Sequence, residues 1–228
     1  MKLKENTMKL SDNTLTILKN FAGINNSILV KQGTKLRTIS VAKNILAEAE
    51  IKEEFPRDFA IYDLNQFLNT LSISNDADLD FKDQSYLGIK DGKNRVKYFF
   101  ADPNVIISPP EKDITLPTED ISFQLDSTSL EKLVKAAGVL QLPDLSAVGE
   151  AGVIKLVVRD KKNDTSNEWG IVVGETDREF VFNFKIENIK LIPGSYEVVV
   201  SSKLLSQFTN TKYDLTYYIA LEPDSSFS

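Results

Sequence analysis

The chain repeats itself, and a chain written twice must satisfy one packing plan twice. Leu10-Ser11-Asp12-Asn13-Thr14-Leu15 leads into an amphipathic helical run near the start. Leu125-Asp126-Ser127-Thr128-Ser129-Leu130 leads into another past the midpoint. Each half then carries a strand, a short helix and more strands. The halves close alike, on Tyr98-Phe99-Phe100-Ala101-Asp102-Pro103 and on Tyr218-Ile219-Ala220-Leu221-Glu222-Pro223. The offset drifts only from 116 (Ser11 to Ser127) to 119 (Ala101 to Ala220), about half of the 228 residues. Such a two-fold repeat of mixed strand and helix suggests a ring or arch whose units share one face.

Composition narrows the function. Two domains of roughly 110 residues sit within the usual size range, and 42% hydrophobic content supports a core in both. No apolar run reaches the ~18 residues that span a bilayer, and no signal-peptide core is expected. With no cysteine there is neither a disulfide framework nor a thiol nucleophile, which fits a reducing compartment. With no histidine, the commonest metal ligand and the usual general acid or base are gone. No glycine-rich phosphate cradle is present, so composition argues against an enzyme and gives no reason to expect a cofactor or a metal. The net charge of −6 is unevenly spread. Residues 1–114 carry 16 basic and 16 acidic side chains, and residues 115–228 carry 11 and 17. Binding then depends on which face the lysines occupy.

Along the chain, residues 1–7 are polar. Because Met8-Lys9-Leu10 repeats the opening of Met1-Lys2-Leu3, they read as an extension or an upstream start. Ser11 caps a first helix with Leu15, Leu18, Phe21 and Ala22 inward; Asp63 caps a second with Leu64, Phe67, Leu68 and Leu71 inward. Thr128 and Glu131 make a capping box for a third, which buries Leu130, Leu133, Val134 and Ala137. A fourth short helix is expected over 187–192, stopped by Pro193-Gly194. Strands are expected over 27–31, 35–41, 45–51, 58–62, 79–81, 86–90 and 95–100, the last two joined across Asp91-Gly92. The second half supplies 121–125, 153–159, 168–173, 179–185, 196–201, 204–209 and 215–221. The domains are expected at 8–104 and 118–228, with an extended, proline-bearing connector over 105–117.

Three constellations have rival readings. Asp76, Asp78 and Asp80 alternate like a calcium loop, but Phe81 and Leu87 stand where that loop needs glycine and glutamate, so the wet face of a strand explains them better. Lys132 and Lys135 on the third helix, Lys190 on the fourth, and Lys9 and Lys19 at the first are each ordinary solvated lysines taken singly. If the repeated helices line one surface, those lysines meet there and track phosphates without reading bases, with Asn65, Gln66, Asn69 and Thr70 as neutral donors. Tyr217, Tyr218, Ile106, Ile107 and Leu116 read as core, or as a groove for a partner peptide.

The residues Met8-Lys9-Leu10-Ser11 with the 15–21 helix, and Ala60-Ile61-Tyr62-Asp63-Leu64-Asn65-Gln66-Phe67-Leu68, resemble the sliding clamps of T4-like bacteriophages. So do Asn188-Ile189-Lys190-Leu191-Ile192-Pro193-Gly194-Ser195-Tyr196 and the ending Ala220-Leu221-Glu222-Pro223-Asp224-Ser225. The resemblance implies an α+β fold of two similar domains, helices lining a ring and antiparallel sheets forming its outer shell. It implies a homotrimer that encircles double-stranded DNA, tethers the replicative DNA polymerase, is placed by an ATP-driven clamp loader, and assists late transcription with host RNA polymerase, all in the host bacterial cytoplasm. By position it assigns Lys19, Lys132, Lys135 and Lys190 to the DNA-facing pore, to which the shared-surface reading above adds Lys9, Asn65 and Asn69; the second helix has no lysine. It assigns Tyr218, Ala220 and Leu221 to the partner groove by position in the tail, and Ile106, Ile107 and Leu116 only because they lie in the connector. Two other readings remain: a virion structural protein with no DNA at its centre, and an enzyme using carboxylates alone, for example on sugars.

Overall fold

The computed structural model describes residues 7–74 and 76–228. The chain divides into two compact units, Met1–Glu111 and Lys112–Ser228. Unit 1 runs β1 (Thr7–Met8), α1 (Asp12–Ile24), β2 (Ile28–Val30), β3 (Gly33–Ile39), β4 (Ile45–Phe55), β5 (Phe59–Ile61), α2 (Leu64–Leu71), β6 (Asp78–Asp80), β7 (Tyr86–Asp91) and β8 (Asn94–Phe99), followed by a 3-10 turn at Pro103–Val105. Unit 2 runs β9 (Ile121–Leu125), α3 (Ser127–Leu140), β10 (Asp144–Glu150), β11 (Val153–Arg159), β12 (Trp169–Glu175), β13 (Phe180–Lys185), a 3-10 turn at Ile186–Asn188, β14 (Tyr196–Ser201), β15 (Leu205–Asn210), β16 (Leu215–Ala220) and β17 (Ser226–Phe227).

The repeat is therefore topological as well as textual. After β1 come a helix, four strands, a second helical segment and three strands; after β9 the same order returns. Within each unit the described pairings are antiparallel. The ladder β1-β6-β7-β8 of unit 1 is matched by β9-β14-β15-β16 of unit 2. The other ladder is continuous in unit 2, β12-β11-β10-β13-β17, whereas in unit 1 it is two pairs, β3-β4 and β2-β5. No helix is long and apolar enough to cross a membrane among the described residues.

Helix starts follow from caps. The Ser11 hydroxyl accepts from Thr14 N–H at 3.3 Å, and Asp63 accepts from Gln66 N–H at 2.8 Å. The α1 N-terminus has a second, tertiary cap: Glu53 on β4 accepts from the Ser11 N–H and from the Thr14 hydroxyl, the latter at 2.7 Å. In α3 the cap is Asp126, accepting from Ser129 N–H at 2.9 Å, and not the expected Thr128–Glu131 box. That helix ends in a Schellman turn, with Gln141 left-handed (φ 54°) and Leu142 N–H reaching Ala137 O at 2.9 Å.

Several sequence expectations need correction. On α1 the buried stripe is Thr14, Ile17, Leu18, Phe21 and Ile24, so Leu15 and Ala22 sit at its margin. Val134 is 46% exposed, because α3 buries only Ser129, Leu130, Leu133 and Ala137. The hairpin between β7 and β8 turns on Gly92-Lys93 between paired Asp91 and Asn94, and only Gly92 has positive φ. Asp80 is buried, not wet; it holds Lys90 across the ladder, and this keeps its carboxyl below the usual range. β10 was not foreseen, because it is the central strand of its ladder and buries both faces, leaving no alternation to read. Its Gly149 is required by packing, since a Cβ there would lie 2.3 Å from the Phe180 ring. Of the expected 1–7 extension, residues 1–6 lie outside the described residues, while Thr7 pairs with Asp80 in β1.

Candidate nucleic-acid and partner surfaces

The helices of unit 1 bury one side each and leave the candidate residues on the other. Burial of Leu64, Phe67, Leu68 and Leu71 turns Asn65, Gln66 and Asn69 to solvent; burial of Ile17, Leu18 and Phe21 turns Lys19 outward. The two helices pack on each other, so Lys19, Asn65 and Asn69 lie on the solvent side of one helix pair. Asn65 is committed in part, its Nδ2 donating to Asn26 Oδ1 at 2.9 Å. Lys9 lies before α1, where its ammonium is held by Asp76 and is 3.8 Å from Asp78. The hydrogen bond to Asp76 raises its pKa, and its charge is balanced locally. Among the unit 1 candidates, the cation without an ion pair among the described residues is Lys19.

In unit 2, Lys132 and Lys135 project from the solvent side of α3, three residues apart and therefore neighbours on the helix surface. Between them stands Val134, and Glu131 accepts from Ser127 Oγ at 3.2 Å. Lys190 is exposed but does not sit on a helix: the expected fourth helix is only the 3-10 turn Ile186–Asn188. Its loop is nonetheless fixed. The Tyr196 hydroxyl donates to Ile192 O, and Ile192 N–H donates to the Tyr217 hydroxyl at 3.2 Å. Burial pushes the Tyr196 phenol up to about 12 and raises Tyr217 as well, so both rings stay neutral.

The candidate groove residues differ in exposure. Ile107 is 39% exposed and Leu116 and Ala220 are half-buried, while Ile106, Tyr218 and Leu221 are buried. Within unit 1, the first half of the connector is tied down by Asn25 and Arg37, which donate to the carbonyls of Ile107 and Pro110. Sequence reading missed both anchors, and it also missed which strands end their ladders. β8 is the outer strand of β1-β6-β7-β8 and exposes Arg95, Lys97 and Phe99, with Lys93 in its turn. β12 is the outer strand of the second ladder in unit 2 and exposes Val172 and Glu175, with Glu168 just before it.

Two families match this sequence, one per half. DNA polymerase processivity factor matches residues 9–108, and gp45 sliding clamp, C terminal, matches residues 122–223. The sliding clamp of Vibrio phage KVP40 is 34% identical over 222 residues, covering 94% of this chain and 99% of that protein. The sliding clamp of Escherichia phage RB69 is 33% identical over 228 residues, covering 96% and 99%. Among solved structures, an A. fulgidus PCNA with the C-terminal region of FEN-1 bound is similar in fold. Its TM-score is 0.70 at 15% identity, over 96% of this chain and 99% of that one.

Proposed function

The chain belongs to the sliding-clamp family of T4-like bacteriophages, a family of DNA polymerase processivity factors, and from that premise we propose a closed homotrimeric ring that encircles duplex DNA. In this reading residues 8–104 and 118–228 are the two clamp domains and 105–117 connects them. A clamp loader that uses ATP opens and places the ring, the replicative polymerase is tethered to it, and the ring also assists late transcription. The protein works in the host cytoplasm and catalyses nothing itself.

One observation carries the ring. β8 and β12 both end their ladders, are similar in length, and carry opposite charge. An outer strand offers unpaired N–H and C=O groups to another chain. Pairing β8 of one copy with β12 of the next is a head-to-tail contact, the kind that closes into a ring when the rotation allows. Lys93, Arg95 and Lys97 would then face Glu168 and Glu175.

The work of the ring is topological. A closed ring leaves DNA only by opening an interface or reaching an end, so its DNA contacts can be weak. Lys19, Lys132, Lys135 and Lys190, with Lys9 largely neutralised and Asn65 and Asn69 as neutral donors, form a sparse phosphate-tracking set. Such contacts are screened by salt and permit sliding. An acidic remainder discourages DNA from wrapping the outside. For a partner peptide this reading assigns Ile106, Ile107, Leu116, Tyr218, Ala220 and Leu221, of which Ile107 is the most exposed.

Light scattering across protein concentration tests the assembly. Three copies of the 25.6 kDa chain give about 77 kDa, and Arg95→Glu/Lys97→Glu should shift that mass towards the monomer. A strict monomer at every concentration would remove the ring. For the DNA surface, Lys132→Glu/Lys135→Glu should lower polymerase processivity with the ring mass unchanged. Unchanged processivity in an intact ring would take these lysines off that surface.

A further inference from the structure

The connector's first half contains Pro109-Pro110, two residues with no N–H to donate. Such a segment can be fixed mainly through its carbonyls. Unit 1 supplies donors to two of them, three residues apart. Asn25, 6% exposed, uses one Nδ2 to bridge Ile39 O at 2.9 Å and Ile107 O at 3.2 Å. Arg37, from β3, donates Nη1 to Pro110 O at 2.7 Å. The two carbonyls, three residues apart, therefore both face donors on unit 1.

Each anchor is itself held. Asn25 Oδ1 accepts from Ser27 N–H and Oγ at 3.0 and 3.2 Å, which fixes the amide so that Nδ2 points at the two carbonyls. Arg37 Nε lies 3.2 Å from Glu48 Oε2, and both side chains are 16% exposed. That ion pair orients the guanidinium towards Pro110, a role for its planar fork that lysine's single ammonium does not reproduce.

We propose that Arg37 and Asn25 are positioning residues for partner docking. They clamp residues 107–110 so that Ile107 is presented in one fixed pose to an apolar partner peptide. The inference rests on the connector being a wall of the partner groove. Preorganisation of this kind strengthens binding because the ordering cost is met before the partner arrives.

Arg37 is the cleaner probe, since the Asn25 N–H also donates to Phe21 O and closes the last turn of α1. The experiment uses the full-length ring and the replicative polymerase of the same phage. It measures amide exchange over 105–112, polymerase affinity and ring mass for Arg37→Ala, Arg37→Lys and Ile107→Glu. Arg37→Ala should speed exchange across the connector and weaken polymerase binding about tenfold, on the order of one charge-assisted hydrogen bond. Arg37→Lys should fall between it and the native ring, and the mass should not change. If Ile107→Glu weakens binding while Arg37→Ala does not, the positioning role is overturned and the groove survives. If Ile107→Glu has no effect on binding, the groove reading itself falls. Unchanged connector exchange in Arg37→Ala also overturns the proposal, whatever the affinity.

Discussion

At matching places in the repeat, unit 1 builds the eight-residue helix α2 and unit 2 builds a three-residue 3-10 turn. The difference starts at the cap. Asp63 lends its carboxylate to the first turn of α2, whereas Lys185, at the matching position, has no acceptor to offer. Its ammonium instead reaches Asp144 on β10 at 2.7 Å, and Asp144 is only 1% exposed. Beyond the turn, Pro193 disfavours helix at Ile192, and Asn188 is buried. One repeat spent this position on a helix start and the other on a cross-strand ion pair. A duplicated topology therefore fixes where a segment runs, while local chemistry decides whether it coils.

The comparison can be broken most severely at Lys185. Lys185→Ala leaves Asp144 buried without its cation. It should cost unit 2 about 2–3 kcal/mol, less than the roughly 3–5 kcal/mol of a fully buried pair because Lys185 keeps one side in water. Urea unfolding checks this, and a loss below about 0.5 kcal/mol would contradict the assigned role.

Glu53→Gln comes next, at about 1–2 kcal/mol for a lost helix cap in unit 1. Burial would raise the Glu53 carboxyl, but the hydrogen bonds from Ser11 and Thr14 outweigh it and hold it below the usual range. A carboxyl lowered by folding contributes stability above its unfolded pKa and loses it as pH falls through the folded value. The gap between native protein and variant should thus narrow on acidification from pH 7 to about pH 3; a gap independent of pH would refute the linkage.

Asp63→Ala has the smallest effect, about 1 kcal/mol, for loss of the α2 cap. It sharpens the comparison by asking whether α2 then frays towards the 3-10 form of unit 2. Faster amide exchange confined to 64–68 would say that it does.

Where a cap and an apolar period coincided, the sequence was readable: Ser11 and Asp63 announced α1 and α2, and the run to Ala137 announced α3. The 187–192 segment has a clear stop in Pro193-Gly194 but no cap at its start, and it forms only the 3-10 turn Ile186–Asn188. β10 has neither period, because a central strand buries both faces. The candidate lysines were visible as residue types, yet only tertiary placement shows Lys9 held by Asp76, with Lys132 and Lys135 left to solvent. Asn25 and Arg37 could not be seen at all, since their partners are carbonyls some 70–80 residues away, and backbone acceptors carry no sequence signature.

The most direct test of the ring asks how it stays on DNA. Clamp is loaded by its ATP-driven loader onto nicked circular duplex and separated from free protein by gel filtration. Half of the sample is then cut to linear form. The account predicts clamp that travels with the circle and is lost once an end is available. Equal retention on circular and linear DNA would show that contact, not topology, holds the protein there, and would contradict the ring.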